Sequence, residues 1–202
     1  MLKTEFKHTG RVYKVQTFGT LQMRWLCINK KYSLQVIRVD EPENIELHPL
    51  NEDDIRPLTQ IMTRAFDHDT RIHLGEERGG PDGYDDGRFL IKWGLQSPTE
   101  SFKVLLNGTL IGGVIVWIRE NGKNYLGTIF IDPPFQGKGI GTKIWRLIES
   151  AFPDTKAWMT DTPGFSTRNH HFYVHKLGFA IIRIKNPGKQ KEEVYIFEKR
   201  MQ

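Results

Sequence analysis

The sequence predicts a mixed α/β (α+β) chain: a mostly antiparallel central sheet flanked by helices, preceded by a small antiparallel β meander. Three observations predict it. Asn107-Gly108 and Asn121-Gly122 separate runs rich in β-branched and aromatic residues, and Asn-Gly is a strong hairpin signal. Stretches with apolar residues at helical spacing alternate with such runs from residue 45 onward. Between residues 11 and 39, Gly19-Thr20 and Asn29-Lys30-Lys31 divide three more strand-like runs.

The elements follow in order. Runs 11–18, 21–28 and 32–39 are rich in Val, Ile, Tyr, Phe and Trp and read as the meander. Asp40-Glu41-Pro42-Glu43-Asn44 reads as a linker. The expected organisation is an N-terminal extension, 1–42, and a main domain, 45–202. A short strand at 45–47 precedes Asn51, a helix N-cap candidate with Asp53 and Asp54 in the first turn. Ile55, Leu58, Ile61, Met62 and Ala65 keep helical spacing, so this helix is expected to end near Phe66. Residues 67–87 read as a long polar segment, and 87–95 as a short helix. Strands are expected at 101–106, 110–118 and 125–131. The helix after residue 139 buries a stripe of Ile140, Ile144, Leu147, Ile148 and Ala151. A strand at 156–160, a helix at 168–177 and strands at 179–184 and 193–197 complete the chain.

Composition narrows the function classes. The 202 residues are 38% apolar and 26% charged, an ordinary soluble composition. Cys27 is the single cysteine, so no intrachain disulfide forms and a reducing compartment is expected. The apolar stretch 110–118 is too short to span a bilayer, and the charged N-terminus has no apolar signal core. The expectation is a cytoplasmic protein with no membrane partner. The net charge of +5 is uneven: residues 1–40 hold eight Lys and Arg against Glu5 and Asp40, leaving the rest near neutral. A basic meander with Tyr13, Phe18, Trp25 and Tyr32 could stack nucleic-acid bases. Packing, within the chain or in a homodimer, is the plainer reading, and nucleic acid is not the expected partner.

Function concentrates at 125–152, where a strand runs through Pro133-Pro134 and three glycines into a helix. A helix N-terminus presents amides without intrahelical partners and partial positive charge, so it suits a phosphate. The P-loop pattern is absent, since no glycine stands five residues before a Gly-Lys-Ser/Thr triplet. The dinucleotide fingerprint fails as well, because Thr142 stands where its last glycine belongs. What remains, Gln136-Gly137-Lys138-Gly139-Ile140-Gly141, resembles the Arg/Gln-x-x-Gly-x-Gly/Ala signature of the GNAT family of N-acetyltransferases. Ile129-Phe130-Ile131-Asp132-Pro133 resembles the strand end before that signature. Lys176-Leu177-Gly178-Phe179 resembles the family's Lys-x-Gly-Phe ending. The order of elements from residue 45 is similar to the family's too.

The resemblance implies the GNAT fold and direct attack of a primary amine on the thioester of acetyl-CoA, without a metal. It implies that Gln136, Gly137, Lys138, Gly139, Ile140, Gly141, Thr142 and Asn169 bind the coenzyme. A backbone amide near Phe130 or Ile131 would polarise the carbonyl, and the pantetheine would pair there like an added strand. Tyr173 is the candidate general acid for the departing thiolate. It stands six residues before Phe179, where the family spacing is five. A packing role for Tyr173 stays open, beside a core of Phe172, Val174 and Leu177 and a C-capping Gly178. Many family members carry a glutamate on the strand equivalent to 125–131; this strand has none. A base therefore acts through water or comes from the acidic segment 67–87, where Tyr84 and Asp85 are the expected acceptor contacts. A small-molecule amine or exposed amino group is the expected acceptor. A non-catalytic CoA-binding regulatory domain, or a nucleic-acid-associated protein acting through the basic N-terminal extension, is the alternative. His171 and His175 stand one helical turn apart without a third ligand nearby in sequence, so no metal is expected.

Overall fold

A computed structural model describes residues 3–8, 11–18, 21–28, 31–37, 44–189 and 191–201, with the backbone alone described before residue 44. The chain divides into two units, Met1–Asn44 and Ile45–Gln202. The first holds β1 (Lys3–His8), β2 (Arg11–Phe18), β3 (Leu21–Ile28) and β4 (Lys31–Ile37), an antiparallel sheet in sequence order. β1 adds a strand to the three expected. Its sequence KTEFKH has few strand formers, and it pairs through its backbone, with Phe6 opposite Tyr13. The turns at Gly19-Thr20 and Asn29-Lys30 and linker residues 40–43 lie outside the described residues. So do the side chains of Tyr13, Phe18, Trp25, Cys27 and Tyr32.

The second unit opens with β5 (Ile45–Pro49) and a single 3-10 turn, Glu52–Asp54. Asn51 caps it as expected: its side chain accepts the Asp53 N–H, and the Asp54 carboxylate accepts the Asn51 N–H at 3.1 Å. α1 (Ile55–Leu74) runs past Phe66 and stops on Gly75 at φ 69. Apolar periodicity fades after Ala65, but tertiary partners satisfy the polar residues that follow. Asp67 accepts from the Gly79 N–H and the Tyr84 hydroxyl, and Asp69 accepts from Ser166. Then come α2 (Arg88–Leu90), which continues as a π-helical turn at Ile91–Gln96, β6 (Glu100–Leu106), β7 (Thr109–Trp117) and β8 (Lys123–Ile131). Asn107 and Gly108, at φ 50 and 77, make the left-handed pair that a tight hairpin requires. α3 (Ile140–Ala151), β9 (Ala157–Pro163) and α4 (Thr167–His171) follow, the last continuing as a π-helical turn at Phe172–Lys176. β10 (Ala180–Lys185) and β11 (Val194–Arg200) close the chain.

The seven strands lie in the order β10-β11-β9-β8-β7-β6-β5. Every pairing is antiparallel except β8 with β9. Helices cover both faces. On one face α1 buries Leu58, Ile61, Met62 and Ala65 with Ile115 and Phe130. On the other, α3 buries Ile140, Ile144 and Ile148 with Val114, Leu126, Trp158 and Phe197. Trp145 occupies the place in the α3 stripe expected for Leu147, which is exposed. The larger ring meets Trp158 at 5.1 Å between centroids and still donates its N–H to Glu149.

Candidate active site

β8 and β9 part company. They pair only from Lys123 with Ala157 to Tyr125 with Met159, although β8 continues to Ile131 and β9 to Pro163. The Thr160 hydroxyl donates to Leu126 O at 2.9 Å, just beyond the last paired residues. Past that point the facing edges diverge and leave backbone groups open. Their direction follows from the β7 side. Asp132 N–H donates to Ile111 O at 2.8 Å, and N–H groups alternate sides along a strand. Phe130 therefore turns its amide toward β7, and Ile131 turns its amide toward the gap. Gln136 Nε2 donates to Ile131 O at 2.7 Å on that open side.

The strand end is anchored. Pro133 and Pro134 sit in a 3-10 turn, Pro133–Phe135, that stops the ladder. Arg64 on α1 grips Asp132 with two hydrogen bonds, of 2.9 and 2.6 Å. This pairing raises the Arg64 pKa, chiefly through the hydrogen bond to Asp132.

The glycines have different tasks. Gly137 and Gly139 sit at φ 76 and 78, where a side chain would be strained, and a Cβ on either would meet nothing within 4 Å. The space above them is open. Gly141 is a packing glycine: its Cβ would lie 3.1 Å from the Phe172 ring. Thr142 and Lys143 donate to Gly139 O, while the geometry of a helix start leaves the amides of Ile140 and Gly141 without intrahelical partners. Lys138, whose Nζ donates to Pro134 O, and Arg168, 3.3 Å from the Gln136 side chain, add positive charge to the rim. Asn169 stands half-buried beside Arg168 in the short helix α4.

Tyr173 reaches the gap from the α3 face of the sheet. It is buried, with ring contacts to Phe172, Phe179 and Phe197. The additional residue between Tyr173 and Phe179 is absorbed by the π-helical turn, in which Leu177 N–H donates to Phe172 O five residues back at 3.1 Å. Gly178, at φ 79, then lets Phe179 N–H return to Tyr173 O. Burial pushes the phenol up to about 12. The Thr160 hydroxyl pulls it down, and the charges of Asp161 and Asp69 push it further up.

The α1 side of the sheet carries the acidic groups. Tyr84 is buried against Phe66 and donates to Asp67 at 2.7 Å; burial first, then Asp67, raises its pKa. The Asp85 carboxylate is held by Arg78 at 2.6 Å. Tyr84 and Asp85 thus brace the segment between α1 and α2. Lys191, between β10 and β11, reaches Glu76 in that segment at 2.7 Å. Sequence reasoning missed Arg64 and Asp161 and saw Asp69 only as one acid of the 67–87 segment; their partners or surroundings come from distant parts of the chain. The His171 and His175 rings stack at 4.7 Å, and among the described residues no three or more His, Cys, Asp or Glu cluster as metal ligands would.

A parted parallel strand pair beside a glycine-led helix start agrees with the comparisons with known proteins. A model of the acetyltransferase (GNAT) family matches residues 59–179. The chain belongs to this family and is an N-acetyltransferase. It is 38% identical over 149 residues to the uncharacterized protein YrkN of Bacillus subtilis (strain 168), a match covering 73% of this chain and 78% of YrkN. Two solved structures share the fold. The PaiA N-acetyltransferase of Thermoplasma acidophilum, in complex with coenzyme A, aligns over 78% of this chain and 99% of its own, with 16% identity and a TM-score of 0.61. The ribosomal-protein-S18-alanine N-acetyltransferase of Escherichia coli aligns over 79% and 95%, with 14% identity and a TM-score of 0.60. No described helix is long and apolar enough to cross a membrane.

Proposed function

We propose that this protein transfers the acetyl group of acetyl-CoA to a primary amine by direct attack on the thioester. The observation that carries the reading is the gap between β8 and β9, with the Gly137–Gly139 cradle at its mouth. The residues present fit the coenzyme. Open amides at a helix start, free space over two left-handed glycines and the nearby Lys138 and Arg168 suit a pyrophosphate. The unpaired edge of β8 suits the amide groups of pantetheine. Gln136, Gly137, Lys138, Gly139, Ile140, Gly141 and Thr142 would hold the phosphates, and Asn169 would border them.

Each remaining group has one task. The Ile131 amide polarises the thioester carbonyl, a contribution of about 3 kcal/mol for one such donor. Tyr173 donates a hydrogen bond to the departing sulfur. The segment braced by Tyr84 and Asp85 walls the acceptor side. A small amine or an exposed amino group is the acceptor class, and the single cysteine suits work in the cytoplasm.

The test is calorimetric titration with CoA, followed by a thiol-release assay with acetyl-CoA and a panel of polyamines, aminoglycosides, amino acids and peptides. Micromolar CoA binding with thiol release on at least one amine is expected. Binding without release on any amine would favour a regulatory CoA-binding domain, and no binding would refute both readings.

A further inference from the structure

We infer that Asp161 is the carboxylate that receives the acceptor's ammonium group and takes its first proton. The inference rests on the acetyl-transfer reading above and names the base which that reading leaves open.

Placement comes first. Along β9, Trp158, Thr160 and Thr162 are buried on the α3 side, and strand alternation puts Met159, Asp161 and Pro163 on the α1 side. Asp161 stands two residues beyond Met159, the last β9 residue paired with β8. The parallel register, continued, sets it level with Gly127 at the inner end of the gap, on the face where α1 carries Asp69. Tyr173, reaching the gap from the other face, feels the charge of both Asp161 and Asp69.

Availability comes second. The other acidic groups of this region are committed. Asp67 holds Tyr84 and Gly79; Asp69 holds Ser166, with His73 at 3.4 Å; Glu76 holds Lys191. Asp85 holds Arg78, Asp82 and Asp86 hold Arg88, and Asp132 holds Arg64. No hydrogen bond or ion pair reaches the Asp161 carboxylate among the described residues, although its backbone lies in the β9–β11 ladder. Its residue surface is exposed, yet neighbouring protein strips part of its hydration, and this desolvation raises its pKa against the lowering effect of Lys185 on β10. A desolvated, unpaired carboxylate gains most from an incoming cation, and a raised pKa makes it a better proton acceptor near neutrality.

The step balances. The ammonium gives one proton to Asp161, and the freed amine forms the N–C bond to the carbonyl carbon. The C–S bond then breaks, and the electron pair leaves on sulfur, hydrogen-bonded by Tyr173. The second N–H proton goes through solvent to the thiolate, and Asp161 returns its own to solvent. The products are an amide, CoA thiol and one proton.

The groups facing this site are Lys185 from β10, Tyr173 beside Thr160, and Asp69 with His73 from α1. The experiment compares wild type, Asp161→Asn and Asp161→Glu, each saturated with CoA. Calorimetry measures the binding of spermidine, lysine amide and a tripeptide with a free amino terminus, and acetyl-CoA kinetics are run from pH 6 to 9 with the same amines. Asp161→Asn is expected to weaken amine binding about tenfold and lower amine kcat/KM at least tenfold near pH 7, with the remaining rate rising more steeply toward pH 9 than in wild type because only the free amine then reacts, and with CoA affinity unchanged. Asp161→Glu should restore part of both. Amine binding and pH profiles equal to wild type in Asp161→Asn would overturn the inference, as would wild type binding none of the three amines. A wild type that fails to bind CoA would instead overturn the acetyl-transfer reading.

Discussion

Replacing Tyr173 with Phe removes one hydroxyl from a residue 7% exposed. The protein holds that phenol at about 12. A thiol of ordinary acidity titrates near 8.5, so full transfer of the phenol proton to the thiolate runs uphill by about 3.5 units, or about 5 kcal/mol. Donation of a hydrogen bond carries no such cost. On the proposed mechanism Tyr173 therefore stabilises the departing sulfur without ionising, and solvent completes the proton transfer. A hydrogen bond to a charged group is worth about 1.5–3 kcal/mol, which makes the expected loss of kcat in Tyr173→Phe about 10- to 150-fold. KM for acetyl-CoA should stay the same, because the interaction exists only as charge develops on sulfur. Thr160 keeps its bond to Leu126 O, so the folding cost is one neutral hydrogen bond, about 1 kcal/mol. The assay is thiol release at saturating amine, from pH 7 to 10, beside a thermal melt. Unchanged kcat would reduce Tyr173 to a packing residue. A loss near 10⁴-fold would instead show complete proton donation and refute the energetic argument.

The same burial links stability to pH. Below pH 10 Tyr173 is protonated whether the chain is folded or not. Between about pH 10 and 12 the unfolded chain ionises first, so the stability present below pH 10 is lost as pH rises. Denaturant melts at pH 9 and 12 should show wild type losing about 2 kcal/mol more than Tyr173→Phe; equal losses would contradict the burial. Gly139→Val places a branched side chain at φ 78 in open space. It should cost about 1–3 kcal/mol of stability as backbone strain and weaken CoA binding at least tenfold, read by thermal melt and calorimetry. Arg64→Ala frees Asp132 and the strand end that aims the Ile131 amide. Its kcat/KM for acetyl-CoA should fall by roughly tenfold through misplacement. Arg64→Lys should rescue it poorly, since one ammonium cannot form the paired contact.

What sequence shows and what it hides separates along physical lines. The loop from Gln136 to Gly141 was legible because left-handed backbone demands glycine, and glycine is visible in sequence. The hairpin at Asn107-Gly108 was legible for the same reason. Polar residues with distant partners were not. α1 continues to Leu74 because Gly79, Tyr84 and Ser166 satisfy Asp67 and Asp69, and no periodicity reports that. Arg64 and Asp132 stand 68 positions apart. The π-helical turn at Phe172–Lys176, which takes up the additional residue between Tyr173 and Phe179, is likewise invisible to residue spacing. Asp161 was not legible because its distinction is a carboxylate that no hydrogen bond or ion pair reaches among the described residues, and only the fold reveals that.

A crystal structure of the protein with bound acetyl-CoA tests the central claim most directly. The account predicts pyrophosphate oxygens within about 3 Å of amides between Gly137 and Thr142. It also predicts pantetheine in the gap between β8 and β9, and the thioester oxygen on the Ile131 amide. A coenzyme bound elsewhere, or a gap closed by continued β8–β9 pairing, would contradict it.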